Sequence, residues 1–232
     1  MTLAIDVLTL FPSWFGWLSE ERHVQNALAG PLRLGFHNLR DHSPLRHRMV
    51  DDEPYGGGAG MLLRVDCVVA ALEGAFGEPL GTLRAQRRIV VLDPGGRRFD
   101  DAVAREYAAG PDLVLLAGRY EGFDHRVHEH VATEALSLGP FVLSGGEVAA
   151  MAVIDAVARF LEGSLGDAAS SEEESFSPAL DGLVEYPHYT RPGEFRGWGV
   201  PPVLLSGDHG RIAAWRREGS EARTRHAADG VE

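Results

Sequence analysis

The sequence predicts an α/β protein built on a mainly parallel sheet with helices on both faces. Three observations carry that prediction. Short apolar runs rich in β-branched residues recur along the first two thirds of the chain, as in Arg88–Leu92 (RIVVL) and Asp112–Leu116 (DLVLL). Each run leads into a glycine-bearing turn, and each turn into a segment with helical periodicity. Strands alternating with helices give parallel pairing, because the crossover returns the chain to the same sheet edge.

Taken in order, Thr2–Leu10 reads as a first strand closed by Pro12, and not as a signal peptide, since no basic segment precedes it and Asp6 comes early. Phe11, Trp14, Phe15, Trp17 and Leu18 predict a short aromatic helix packed on the sheet. A helix over Glu21–Ala29 stops at Gly30-Pro31, and Arg33–Leu39 is a candidate strand. The segment Val50–Met61 (VDDEPYGGGAGM) holds four glycines within five residues. Such a loop is costly to order, so it is either a floppy linker or a functional surface closed by a ligand. The candidate substrate contacts there are Asp51, Tyr55 and Gly58.

A helix over Arg64–Phe76 is followed by the three strand–turn–helix units. The first turn is Asp93-Pro94-Gly95-Gly96, before a helix through Asp101–Tyr107. The second is Ala117–Gly122, before a helix through His125–Val131. The third strand is read at Phe141–Leu143, with Ser144-Gly145-Gly146-Glu147 as a capping box opening a long apolar helix, Val148–Leu161. In a parallel sheet these turns share one edge, where ligands bind. None is G-x-G-x-x-G or a P-loop. They carry Asp93 and Glu121 against one cation, Arg119. Carboxylates repel a pyrophosphate, so the charge signs favour a neutral or cationic ligand with amide-like edges, such as an adenosine bearing a sulfonium.

After Leu161 the periodicity breaks. Glu162–Ser177 is rich in Gly, Ala, Ser and Glu and reads as a linker. The organisation is therefore a large domain over 1–161, a linker over 162–177 and a small helical module over 178–232. The module's one clear helix is Arg211–Glu218, and the tail Gly219–Glu232 is expected to fray for want of an apolar repeat.

Composition narrows the function classes. With 44% hydrophobic and 24% charged residues the chain is an ordinary globular protein. No window approaches the ~20 apolar residues that span a bilayer. A single cysteine, Cys67, precludes an internal disulfide, suits a reducing cytosol and sits among valines as a core thiol. The formal charge of −12 is unevenly spread. Arg33–Arg48 holds four Arg, three His and one Asp, and Tyr189–His226 holds seven Arg against four acids. Between them, Glu162–Glu185 has seven acids and no base. All 22 basic residues are Arg, the side chain that forks onto phosphate and stacks on bases. Arg191, Arg211, Arg216 and Arg217 read either as surface solvation or, with the upstream zone, as a two-part grip for nucleic acid. His125, His128 and His130 with Asp124 and Glu129 match no standard zinc spacing and read as a polar helix face, so no metal ligands are assigned.

Five blocks, RHRMVDDEPYGGGAGM, LLAGRYEGFDHRV, SLGPFVLSGGE, AVARFL and EYPHYTRP followed by VPPVLLSGDH, resemble the bacterial tRNA (guanine-N1)-methyltransferases in that family's order. The resemblance runs from the first strand to about Arg217. It implies a SPOUT fold with a trefoil knot, which periodicity does not reveal. It implies a cytoplasmic homodimer with shared active sites, S-adenosylmethionine as donor, Mg2+ in the reaction, and the guanosine just 3′ of the tRNA anticodon as target. The implied cofactor positions are Leu92 and Pro94; Gly118, Arg119 and Glu121; and Ser137, Leu138, Gly139, Pro140, Phe141, Val142, Leu143, Gly145 and Gly146. The family's catalytic Arg falls on Arg159, although Asp155, four residues earlier, also offers an ordinary intrahelical ion pair. Its catalytic Asp falls on Glu174, which keeps the carboxylate and adds one methylene. Glu173 is the fallback base. The tail beyond the Arg-rich segment also departs from the family.

Overall fold

The computed structural model describes residues 2–165 and 174–229. The chain divides into two compact units, Met1–Gly166 and Asp167–Glu232.

The first unit is organised by a five-stranded sheet in the order β2-β1-β6-β5-β7. Its strands are β1 (Leu3–Thr9), β2 (Leu32–Asn38), β5 (Arg88–Arg98), β6 (Leu113–Leu116) and β7 (Glu134–Ser137). Every pairing in it is parallel. The near-continuous apolar runs in β1 and β6 follow from burial on both faces. On one face Ile5, Val7, Val90 and Leu115 pack with Phe15, Val24, Tyr107, Ile154 and Val157. These come from a 3₁₀ turn at Pro12–Glu20 and from helices α1 (Arg22–Leu28), α4 (Asp101–Ala108) and α5 (Glu147–Ala158). On the other, Leu8, Ile89, Val91, Val114 and Leu116 pack with Val68, Leu72 and Leu83. Those belong to α2 (Val65–Phe76) and α3 (Leu80–Gln86). Alternate residues of one strand thus feed opposite cores, as a period of two requires. Among the described residues no helix is long and apolar enough to cross a membrane.

Several local expectations are corrected. The third strand is Glu134–Ser137, not Phe141–Leu143, whose side chains are exposed, Val142 by 85%. Apolar character there serves a cleft instead of a core. The expected aromatic helix is a 3₁₀ segment that buries only Phe15 and Leu18. The expected helix at His125–Val131 is a single π turn, Val127–Val131. Asp93–Gly96 is not the end of its strand: β5 runs on to Arg98, bulging as its pairing with β7 shifts between Leu92 and Arg97. A Cβ on Gly96 would strike the Ala135 and Leu136 backbone, so only glycine lets the strands close after the bulge.

The second unit contains a two-stranded hairpin, β8 (Glu194–Phe195) with β9 (Trp198–Gly199), and helix α6. That helix spans His209–Asp229 and so continues through Gly219–Asp229, where fraying was expected. Its support is polar and close-packed. Thr224 Oγ1 accepts from the Val184 amide at 2.9 Å, and Arg223 donates to the Glu185 carbonyl at 2.7 Å. Gly219, without a side chain, admits Tyr186 and Pro187.

Candidate functional site

The bulge of β5 at Leu92–Pro94, the ends of β6 and β7 and the turns that leave those two strands surround one cleft with about 830 Å³ of empty space, open solvent included. Every expected cofactor position except Pro140 lines it: Leu92 and Pro94; Gly118, Arg119 and Glu121; and Ser137, Leu138, Gly139, Phe141, Val142, Leu143, Gly145 and Gly146. Pro140 is exposed beside it. Tyr120, Phe123 and Ala149 also contribute. Tyr120 lies in the second turn singled out in the sequence and Phe123 directly follows it, whereas Ala149 carried no sequence signal.

The cleft is held open by main-chain bonds and missing side chains. The Gly146 amide donates to the Gly118 carbonyl at 2.8 Å, tying the third loop to the second. The Gly118 position leaves room only for the Phe123 ring. In the first loop the Asp93 carboxylate accepts from the Gly95 amide at 2.7 Å, and His128 Nε2 lies 3.8 Å from its other oxygen. The Asp93 turn is therefore prefolded.

The expected capping box does not form. Gly146 is the N-cap of α5 and no side chain caps it. Glu147 points inward instead and is fully buried. One oxygen accepts from Thr9 Oγ1 at 2.8 Å, and the other lies 2.9 Å from Arg119 Nε. That second contact is an ion pair off the hydrogen-bond line, so both of its atoms are buried without a hydrogen-bond partner. The Arg119 guanidinium also donates to the Ser144 carbonyl at 3.2 Å. It lies 4.7 and 4.6 Å from the Phe11 and Trp14 ring centroids.

The glycine-rich loop abuts this cleft. It joins β3 (Asp51–Asp52) to β4 (Leu62–Leu63). The Leu63 amide donates to Gly122, and the Glu121 amide donates to Met61. Gly60 stands against the Glu121 side chain. Asp51 is half-buried, whereas Tyr55 and Gly58 are exposed on the loop. The loop is thus anchored at both ends, unlike a floppy linker.

Arg159 is the half-buried C-cap of α5, and its carbonyl accepts from Ser164 Oγ at 3.1 Å. Asp155 lies 2.9 Å from His23 Nε2. Glu174 belongs to the second unit, where its carbonyl accepts from the Ser177 amide at 3.1 Å and begins a turn tied to Leu183 and Glu185. Glu172 and the fallback base Glu173 lie outside the described residues. Arg191 is exposed ahead of the β8–β9 hairpin. Elsewhere in this unit Phe195 and Trp198 meet edge to face at 5.9 Å, and Arg216 lies over Tyr186 at 4.7 Å. Among the described residues no group of three His, Cys, Asp or Glu is placed to hold a metal ion.

The family profile of the tRNA (Guanine-1)-methyltransferase TrmD matches residues 3–229. A protein of Dehalococcoides mccartyi named tRNA (guanine-N(1)-)-methyltransferase is 49% identical over 223 residues, covering 96% of this chain and 87% of its own. Proteins of the same name from Exiguobacterium sibiricum and Sorangium cellulosum are 51% identical over 220 residues and 50% over 241. They cover 95% and 96% of this chain, and 87% and 90% of their own lengths.

Proposed function

Because the chain belongs to the tRNA (guanine-1)-methyltransferase family, we propose that it transfers a methyl group from S-adenosylmethionine to N1 of the guanosine immediately 3′ of the tRNA anticodon. The observation that carries the reading is the convergence of three glycine-bearing turns on one cleft that offers backbone edges, Asp93 and Glu121. Such a lining suits an uncharged adenosine and a sulfonium, and opposes a pyrophosphate. The trefoil knot belongs to the same proposal. It is supported by the return of the third loop onto Gly118 before α5 packs beside α4 and α1.

The donor supplies an electrophilic methyl carbon and leaves as a neutral thioether. The chain's residues do the rest. Guanine N1 carries a proton and is a poor nucleophile until it is lost. The Glu174 carboxylate accepts hydrogen bonds from N1–H and the exocyclic amine, then takes the N1 proton as the nitrogen lone pair attacks. Negative charge builds on O6, where the Arg159 guanidinium stabilises it. Glu174 reaches the guanine of a homodimeric partner's cleft as tRNA binds, in a cytoplasmic enzyme. Trp17, Val142 and Val148, exposed on the cleft-bearing unit, support such a covered surface. Arg191 and the Phe195–Trp198 hairpin face the tRNA in this reading, with Asp51, Tyr55 and Gly58 closing on the target base. The family's Mg2+ finds no donor set among the described residues.

Transfer of labelled methyl to unmodified tRNA tests the proposal. Glu174→Gln keeps size and hydrogen bonding and removes the base, so kcat should fall about 100-fold or more with tRNA affinity retained. Unchanged turnover would remove Glu174 from the mechanism and direct attention to Glu173. Wild-type protein that binds tRNA without transferring methyl, or that methylates a ribose 2′-OH, would overturn the reaction itself.

A further inference from the structure

Arg119 is the only Lys or Arg among the described residues lining the cleft, which poses an electrostatic problem for a cationic donor. Its side chain is 15% exposed and that of Glu147 is not exposed at all. The guanidinium is confined by the Phe11 and Trp14 rings and by the Ser144 carbonyl. Glu147 is confined by Thr9 at the end of β1. Gly145 runs across the pair, and a Cβ there would overlap both side chains. An unpaired guanidinium in so enclosed a place would project its charge into the cleft with little solvent screening.

We propose that Glu147 is a positioning residue that fixes Arg119 across the second and third loops and cancels its charge, so that the cleft admits a sulfonium. The inference rests on the methyl-donor reading of the cleft. With the pair intact, the remaining facing charges are those of Asp93 and Glu121, and the donor's positive sulfur carries no penalty from Arg119. With Glu147 neutral, Arg119 repels S-adenosylmethionine but leaves S-adenosylhomocysteine, which is neutral at sulfur, almost unaffected. The two ligands differ by one methyl and one charge. Their affinity ratio therefore reads charge, while any general loosening of the loops weakens both alike.

Calorimetric titration of both ligands into the full-length protein tests this. Glu147→Gln, which still accepts from Thr9, should raise the ratio Kd(S-adenosylmethionine)/Kd(S-adenosylhomocysteine) about tenfold, as expected for one uncompensated charge a few ångströms away. Arg119→Gln should move the ratio in the opposite direction, and it supplies the reading if Glu147→Gln does not fold. The double variant should return the ratio to within about twofold of wild type. A ratio unmoved in the folded single variants, with both affinities shifting together, would overturn the charge role and leave Glu147 a structural residue only. Wild-type protein that binds neither ligand would overturn the donor reading beneath it, a result plainly different from parallel weakening.

Discussion

Replacing Gly146 by alanine tests how the cleft is built. Its φ of −75° suits any residue, so the substitution introduces no backbone strain of its own. The added methyl would lie 2.7 Å from Ala117 Cα and 3.0 Å from the Gly118 nitrogen, both main chain and both buried. Neither can swing aside as a side-chain tip would. The α5 terminus must move away from β6, at a cost of about 1–3 kcal/mol for overpacking. The shift also stretches the 2.8 Å bond from the Gly146 amide to Gly118, adding about 0.5–1.5 kcal/mol. Together these lower the melting temperature by about 3–18 °C for a unit of this size. Donor affinity should fall at the same time, because the displaced atoms line the cleft. Differential scanning calorimetry and ligand titration read the two effects. Gly81→Ala is the control: it lies inside α3 with nothing within 4 Å of the new methyl, and should stabilise by about 0.5–1 kcal/mol. A Gly146→Ala protein melting within about 1 °C of wild type and binding donor normally would refute the close approach and the role assigned to it.

Two further outcomes follow from titratable groups. Burial raises the Cys67 thiol above its usual range, against a smaller lowering by Ser43. The native protein should therefore react with a thiol reagent at neutral pH far more slowly than the unfolded chain, and labelling rates in and out of denaturant check this. Asp124 is held below the usual carboxylate range, first by the Arg126 guanidinium and then by the Arg126 amide. A depressed carboxyl contributes stability that is fully present above its unfolded value near pH 3.8 and lost as pH falls through the lower folded value. Melting curves between about pH 5 and pH 2 should show wild type losing its advantage over Asp124→Asn across that window. A constant difference down to pH 2 would contradict the pairing.

The sequence by itself determined the architecture and most of the cleft. Runs such as RIVVL and DLVLL are apolar on both faces, and only a strand covered on both sides buries such a run. Turns such as Ala117–Gly122 and Ser144–Glu147 lack side chains at points of close backbone approach, so their glycines marked the cleft before any fold was known. The helix over Arg64–Phe76, with Cys67 as a core thiol, was also legible. What it did not determine are contacts whose partners are remote in the chain. Phe141–Leu143 has the composition of a strand, and only the pairing of β5 with Glu134–Ser137 shows that the edge was already taken. Glu147 has the spacing of a capping residue. It turns inward because Thr9, 138 residues away in sequence, offers a hydroxyl and Arg119 a charge. Helix α6 continues past Glu218 because Thr224 and Arg223 meet the backbone of 184–185, a support with no hydrophobic period to reveal it. Local pattern records what each residue does to its neighbours along the chain. A buried charge or a strand edge is decided by what folding brings against it.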